Sequence, residues 1–272
     1  MKKILSVITS LLIASSVWAS VAVSPTKIEI NANKIRNNYA TAAVEVRGDL
    51  QKAVRFRIYP EYFVITNESR MNTDVPKGDI HDISSNLRFV PSEFTVPPGK
   101  SQKVRVNIAN VKALPDGESR AVLFLEDVNT KEMNIPNNAG IGAQLVIKTR
   151  VGIPVYVDKG KFTKTGDIEY LKIVREKDGL YTEMKVLSKG NSKIRYTGKV
   201  QVIKDKKLVD EYNLDSKVVG NNNYYVAKQK IQTKNIKDAG EYTLRVILSY
   251  FDEDNNRKNI KKDAVLNIKN DM

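Results

Sequence analysis

Short runs that alternate apolar and polar residues recur about every ten residues along this chain, rich in Val, Ile, Tyr and Thr, while apolar residues at helical spacing are scarce. A strand with such a pattern has one face to bury and needs a second sheet to bury it against, so the chain must fold in packed β layers. Up to Val157 there are seven such units: "VAVSPTKIEI", "YATAAVEVRG", "AVRFRIYPEYFVI", "LRFVPSEFTVPPG", "SQKVRVNIAN", "SRAVLFLEDV" and "AQLVIKTRVGIPVYV". Pro97, Pro98 and Gly99 predict a turn, after which Val104, Val106 and Ile108 alternate inward.

A polar, turn-rich stretch, "VDKGKFTKTGD" (158–167), separates these units from a second series that begins with "IEYLKIVRE" and includes "GEYTLRVILSY". In the latter, Tyr242, Leu244, Val246 and Leu248 share one face. The expected fold class is all-β, with two immunoglobulin-like β-sandwich domains at residues 20–157 and 158–272. The length of 272 residues also favours two domains over one core.

The opening "MKKILSVITSLLIASSVWAS" has a charged start, an apolar run from Ile4 to Ile13 and a small-residue exit. It reads as a signal peptide, residues 1–19, cleaved after Ala19 or Ala22. No later segment reaches the ~18 apolar residues of a membrane helix. Export is therefore expected. Cysteine is absent, which removes thiol catalysis and disulfide exchange. The charge is strongly basic, with 45 Lys+Arg against 31 Asp+Glu, a net +14. In an exported chain that excess points away from nucleic acid and toward envelope partners, and the lysines form no tight block.

Catalytic constellations are missing. The single histidine, His81, sits in "GDIHDISSN" and reads as an exposed loop residue. "GESRA" lacks the second glycine of a nucleophile elbow, and Glu126 and Asp127 read as a solvated strand end. "DEDNNRKN" (252–259) lacks the Gly and distal Glu of a calcium loop and reads as a hairpin turn. No enzyme activity, metal or cofactor is expected.

The stretch "IGAQLVIKTRVGIPVYV" (141–157) places Ile141, Ala143, Leu145 and Ile147 on one strand face and follows a loop, 129–142, longer than a hairpin needs. The order of "VSPTKIEI", "LRFVPSEFTVPPGKSQKVRVNI", "LPDGESRAVLFLEDV" and "QLVIKTRVGIPVYV" resembles the periplasmic chaperones of chaperone–usher pilus assembly, the PapD-like family. The resemblance covers the first half well and the second half only in strand pattern. It implies two sandwiches in a boomerang arrangement, with pilus or fimbrial subunits and an outer-membrane usher as partners. It also implies that the strand bearing Ile141, Ala143, Leu145 and Ile147 is donated to a subunit that lacks one of its own. Strand donation of this kind is a known mode of peptide recognition.

The same resemblance implies a pair of cations holding the subunit's terminal carboxylate. Lys27 stands at the first position, and Gly152 stands where the family has a lysine, so Arg150, two residues earlier on the same strand face, is the substitute. An exposed donor strand further implies a self-capping homodimer when the chain is free. Two readings from other classes remain on the residues alone: a secreted two-domain adhesin or carbohydrate-binding module, and a structural scaffold of the envelope. The first needs an exposed aromatic platform, yet aromatics make up only 7% of the chain and its one tryptophan, Trp18, is in the leader.

Overall fold

The computed structural model describes residues 21–76, 78–129, 131–135, 143–232, 236 and 239–268, with 131–135 and 143–147 given by backbone course. The leader assigned to residues 1–19 lies outside these residues, as does Ile141. Among the described residues there is no α-helix, and none long and apolar enough to cross a membrane.

The first half supplies β1 (Ala22–Ser24), β2 (Ile28–Asn31), β3 (Tyr39–Arg47), β4 (Val54–Glu61), β5 (Val64–Ile65), β6 (Met71–Asn72), β7 (Leu87–Val90) and β8 (Glu93–Val96). It continues with β9 (Ser101–Ala109), β10 (Gly117–Asp127), β11 (Lys131–Ile135), β12 (Ala143–Ile147) and β13 (Arg150–Lys159). Two sheets, in the orders β1-β3-β9-β7 and β2-β13-β10-β4-β8, enclose one core in which Val44, Val104 and Val106 meet Phe56, Leu123 and Val155. With β1 and β2 as the two halves of a first strand, this is the Greek-key order of an immunoglobulin-like sandwich.

Proline divides units that the sequence pattern reads as single strands. β1 pairs with β3 in one sheet, whereas β2, beyond Pro25, runs parallel to β13 in the other. Likewise β7 pairs with β9, and β8, beyond Pro91, pairs with β4. A residue without an N–H cannot continue a ladder, so the chain changes sheet where proline interrupts it.

The second half forms β14 (Gly166–Glu176), β15 (Gly179–Ser188), β16 (Ile194–Lys204), β17 (Lys207–Val219), β18 (Tyr224–Lys230), β19 (Gly240–Phe251) and β20 (Arg257–Ile268). Their sheets, β14-β15-β18 and β17-β16-β19-β20, close on a separate core that includes Tyr196, Val200, Leu244 and Leu248. The inward alternation expected for Val104 to Ile108 and for Tyr242 to Leu248 is present, and all seven of these residues are buried. β13 runs to Lys159 and β14 begins at Gly166, so the connection is shorter than the polar stretch 158–167. Gly160 sits within it at φ +63°, a left-handed backbone that favours glycine, and a Cβ there would force the Asp116 side chain to move.

β10 explains why "AVLFL" is a continuous apolar run and not an alternating one. Ala121, Leu123 and Leu125 face the first core. Val122 and Phe124, on the other face, join Phe63, Ile65 and Tyr156 in a cluster that packs against Val218 of β17. Both faces are covered because the second sandwich rests on the outer one. Two turns differ from the sequence pattern. The long loop 129–142 contains β11, and the last hairpin closes within 252–256, where Asn255 takes φ 65° and Asp252 N–H donates to Asn256 O.

Leu244→Ala is expected to lower the unfolding free energy by about 2–5 kcal/mol, since the buried side chain leaves a cavity behind. Val265→Ala, at a position 54% exposed, is expected to change it by less than about 0.5 kcal/mol. Urea denaturation of the two variants beside the parent checks both values.

Candidate functional site: an open sheet edge running into a cationic cleft

β13 has two edges. One is hydrogen-bonded to β10 along its whole length, from Arg150 to Lys159. The other is taken by β2 only from Val155 to Asp158. Residues 150–154 thus keep an unpaired edge among the described residues. Pro154, which has no N–H to offer, is tolerated there because that edge lacks a neighbour. β12 extends the same hairpin and pairs with β11 in the register Lys131↔Ile147, Met133↔Leu145 and Ile135↔Ala143. Its edge away from β11 carries no strand among the described residues.

Of the strand positions expected to be donated, Ala143, Leu145 and Ile147 fall in β12, while Ile141 lies outside the described residues. The register gives them Met133 and Ile135 as direct cross-strand neighbours, which the sequence pattern had assigned to a loop.

The two expected cations are not brought together. Lys27 precedes Ile28, the residue that pairs with Val155, and so stands beside Pro154 where the open edge stops. Arg150 begins β13 four residues earlier, ~13 Å along the strand at ~3.3 Å per residue. Its guanidinium lies 4.1 Å from the Phe124 ring centroid, donates to Tyr59 Oη at 3.4 Å and is 3.8 Å from Glu61. The hydrogen bond with Tyr59 raises the pKa of Arg150. Lys27 is paired with Glu29 at 2.6 Å.

Around Lys27 the second sandwich supplies cations that sequence reasoning missed. A cavity of about 270 Å³ is lined by Lys27, Glu29, Lys164, Lys193, Arg195 and Phe251, among others. Lys193 is 4% exposed and Glu118, from β10, is fully buried. Lys193 Nζ donates to Glu118 Oε2 at 3.1 Å, lies 3.4 Å from Glu29 and sits 3.5 Å from the Tyr156 ring centroid. The same Glu118 oxygen accepts from Lys193 N, and Arg120 Nη1 lies 3.5 Å from the other, Oε1. Ser192 Oγ donates to Asp158 at 2.7 Å, and Lys164 pairs with Asp158 at 2.8 Å. These bonds tie β10 and β13 to the segment entering β16. Burial pushes the Glu29 carboxyl up, but Lys193 and then Lys27 outweigh it and hold its pKa below the usual 4.5. Nothing in the sequence marks this network: Lys193 follows Ser192, precedes the first residue of β16 and shares the alternation of the exposed Arg195.

His81 is half-buried, contrary to the exposed loop position expected for it. Its N–H donates to Asp79, its carbonyl accepts from Arg120 N, and Nδ1 is buried. The fold draws this loop against β10. Nearby, Tyr62 Oη donates to Asp79 at 2.8 Å, and burial, with Asp79 second, raises its pKa to about 12. No cluster of acids and histidines able to hold a metal occurs among the described residues.

No protein-family model matches the chain, and no curated protein matches it in sequence. Among solved structures, the chain is similar to the CupB2 chaperone of Pseudomonas aeruginosa, at 12% identity and TM-score 0.44, covering 90% of this chain and 100% of that one. It is similar as well to a Salmonella enterica structure of the SafA pilin with the SafB chaperone, at 11% identity and TM-score 0.41, covering 92% and 96%. A third similar structure is the CsuC–CsuE chaperone–subunit complex of Acinetobacter baumannii, at 14% and 0.39, covering 79% and 92%.

Lys193→Met is expected to cost up to about 3–5 kcal/mol, because Glu118 stays charged and buried with Arg120, 3.5 Å away, as its remaining cation. Adding Glu118→Gln should restore part of that loss, as read by thermal and urea unfolding. Glu29 has a lowered folded pKa, so its contribution is present above pH 4.5 and disappears as pH falls through the folded value. The stability gap between the parent and Glu29→Gln should accordingly be open at pH 6 and close below pH 4.5.

Proposed function

We propose that the protein is a periplasmic chaperone for pilus or fimbrial subunits. It holds a subunit along the open edge of β12 and β13 and passes it to an outer-membrane usher. The unpaired edge from β12 to residue 154 is the observation that carries this reading. An extended strand of the subunit adds to that edge through main-chain hydrogen bonds, and Ile141, Ala143, Leu145 and Ile147 enter the groove left by the subunit's missing strand. Leu145 and Ile147 would each contribute roughly 1.5–3 kcal/mol of burial before ordering costs.

The added strand must stop where β2 takes over the edge, which is at Lys27. A strand whose chain terminus falls there runs parallel to β12 and β13, and its carboxylate meets Lys27 in the cationic cleft. Arg150, ~13 Å back along the strand, then serves the carboxylate only if it leaves Phe124, and otherwise contacts the body of the subunit. A free chain carries an open apolar edge, and pairing two such edges gives the expected self-capped homodimer. The carbohydrate-binding alternative finds little support on the outer face of β14-β15-β18. There Tyr170, Tyr181 and Tyr224 each have a lysine ammonium 4.6–5.2 Å from the ring centroid.

Co-expression with exported fibre subunits tests the reading. The parent should co-purify stoichiometrically with a subunit that is insoluble alone. Leu145→Glu with Ile147→Glu should abolish that capture while the unfolding transition of the chain stays in place. Loss of folding together with capture would instead make these residues core. Lys27→Ala should weaken capture by about tenfold or more, in line with a charge-assisted carboxylate contact of roughly 1.5–3 kcal/mol, and Arg150→Ala by less.

A further inference from the structure

Where the cleft opens onto the second sandwich, Phe251 ends β19 and is 57% exposed. Its direct neighbour on β20 is Arg257. On the other side β16 pairs Thr197 with Ser249, which sets Arg195 one alternation on, beside Phe251. Arg195 and Phe251 line the same cavity. The row Arg195–Phe251–Arg257 thus crosses three strands on the outer face of the sheet.

The neighbouring cations are answered by acids: Lys27 by Glu29, Lys164 by Asp158, Lys258 by Asp252 and Lys199 by Glu211. Neither arginine of the row has a carboxylate within ion-pair distance among the described residues, and Arg257 donates to Ser249 Oγ at 3.1 Å. Arg195 feels Glu29 only at longer range and Arg257 has a hydroxyl partner, so two guanidinium groups without a direct ion pair flank an exposed ring and leave apolar surface in water. Both features are answered if an acidic and apolar surface covers the row.

We propose that this row is a second docking surface for the same fibre subunit, taking an acidic segment in which two side-chain carboxylates flank an aromatic or aliphatic residue. The proposal rests on the subunit-binding reading above. Spacing selects the occupant: adjacent strands lie ~4.8 Å apart, so the arginines are ~10 Å apart across Phe251. A single chain-terminal carboxylate would draw both arginines to one point and leave Phe251 uncovered, whereas two carboxylates on either side of an apolar side chain meet one arginine each and cover the ring, with a bidentate fork available at both. The route is open. A groove of about 710 Å³ that includes Thr197, Ser249 and Arg257 shares Thr197 and Ser249 with the cleft cavity, so a subunit seated on the β13 edge reaches the row directly.

The test uses the full mature chain and a captured subunit, with the dissociation constant measured at 50 and 500 mM salt. Arg195→Glu with Arg257→Glu should weaken binding at least tenfold at low salt and much less at high salt. Phe251→Ala should weaken it several-fold at both. If charge reversal disturbs folding, the Arg195→Gln and Arg257→Gln pair takes its place, with the same direction of effect. Reversing the subunit's acidic segment to lysine should restore binding to the reversed chain. Unchanged affinity in the arginine and Phe251 variants, while Leu145→Glu with Ile147→Glu abolishes capture, overturns the second surface and leaves the chaperone reading standing. Capture that survives the strand substitutions too overturns that reading and the second surface with it. Loss of binding on amidating the subunit's C-terminus, with its acidic segment dispensable, would assign the arginines to the chain end and overturn the segment proposed here.

Discussion

The two sandwiches meet on the outer face of β10 and β13, and the rest of the molecule's working geometry depends on that contact. Val122, Phe124 and Tyr156 bury it from one side, with Val218 reaching across. Beside them a fully buried carboxylate, Glu118, is held through one oxygen by Lys193 of the second sandwich, while Arg120 of its own strand lies 3.5 Å from the other. The apolar part supplies affinity in proportion to area. The charged part supplies orientation, because a buried carboxylate is tolerated only when its donors arrive in the right place. A change of angle between the sandwiches would strip Glu118 of Lys193 and leave it only Arg120 of its own strand, which makes the network a lock on the cleft that Lys27, Lys193 and Arg195 surround.

The open edge belongs to β13, whose far end joins that lock through Asp158. β13 is bonded to β10 throughout, flanked by β2 at its far end and, among the described residues, bare from residue 150 to 154. The bare part continues into β12, and the covered part runs to Asp158, which holds Lys164 and Ser192. An edge that begins apolar and ends at cations is suited to a polypeptide that is apolar along its length and anionic at its end. The residues that blunt other edges serve the same division. Pro154 ends the row of donors where β2 begins, and lysines occupy the outer faces elsewhere.

Much of the fold was legible in the sequence, because alternation is a local property with a simple physical cause. Residues such as Leu244 and Val106 must face a core if they alternate with polar neighbours, whatever the core turns out to be. The continuous run at Ala121–Leu125 was legible as a strand, but not as one buried on both faces, since the covering layer comes from residues near Val218. Pro25 and Pro91 were visible as interruptions, though the sheet each half-strand would join was not. The strand Lys131–Ile135 escaped notice because its partner, Ala143–Ile147, gives it a register that its own mixed sequence does not announce.

For the candidate site the division is sharper. By itself the sequence determined the chemistry available: an apolar stripe at Ala143, Leu145 and Ile147, a cation at Lys27, and no thiol. Only the tertiary structure decided which of these groups share a surface. It set Arg150 against Phe124, away from Lys27, and brought Lys193 and Arg195 to the cleft across more than 160 residues of chain. The physical reason is that strand pattern fixes which face a side chain takes, while its neighbours are fixed by pairing and packing between segments far apart in sequence. Charge and hydrophobicity can be read residue by residue, but their coincidence at one cleft is a property of the folded chain alone.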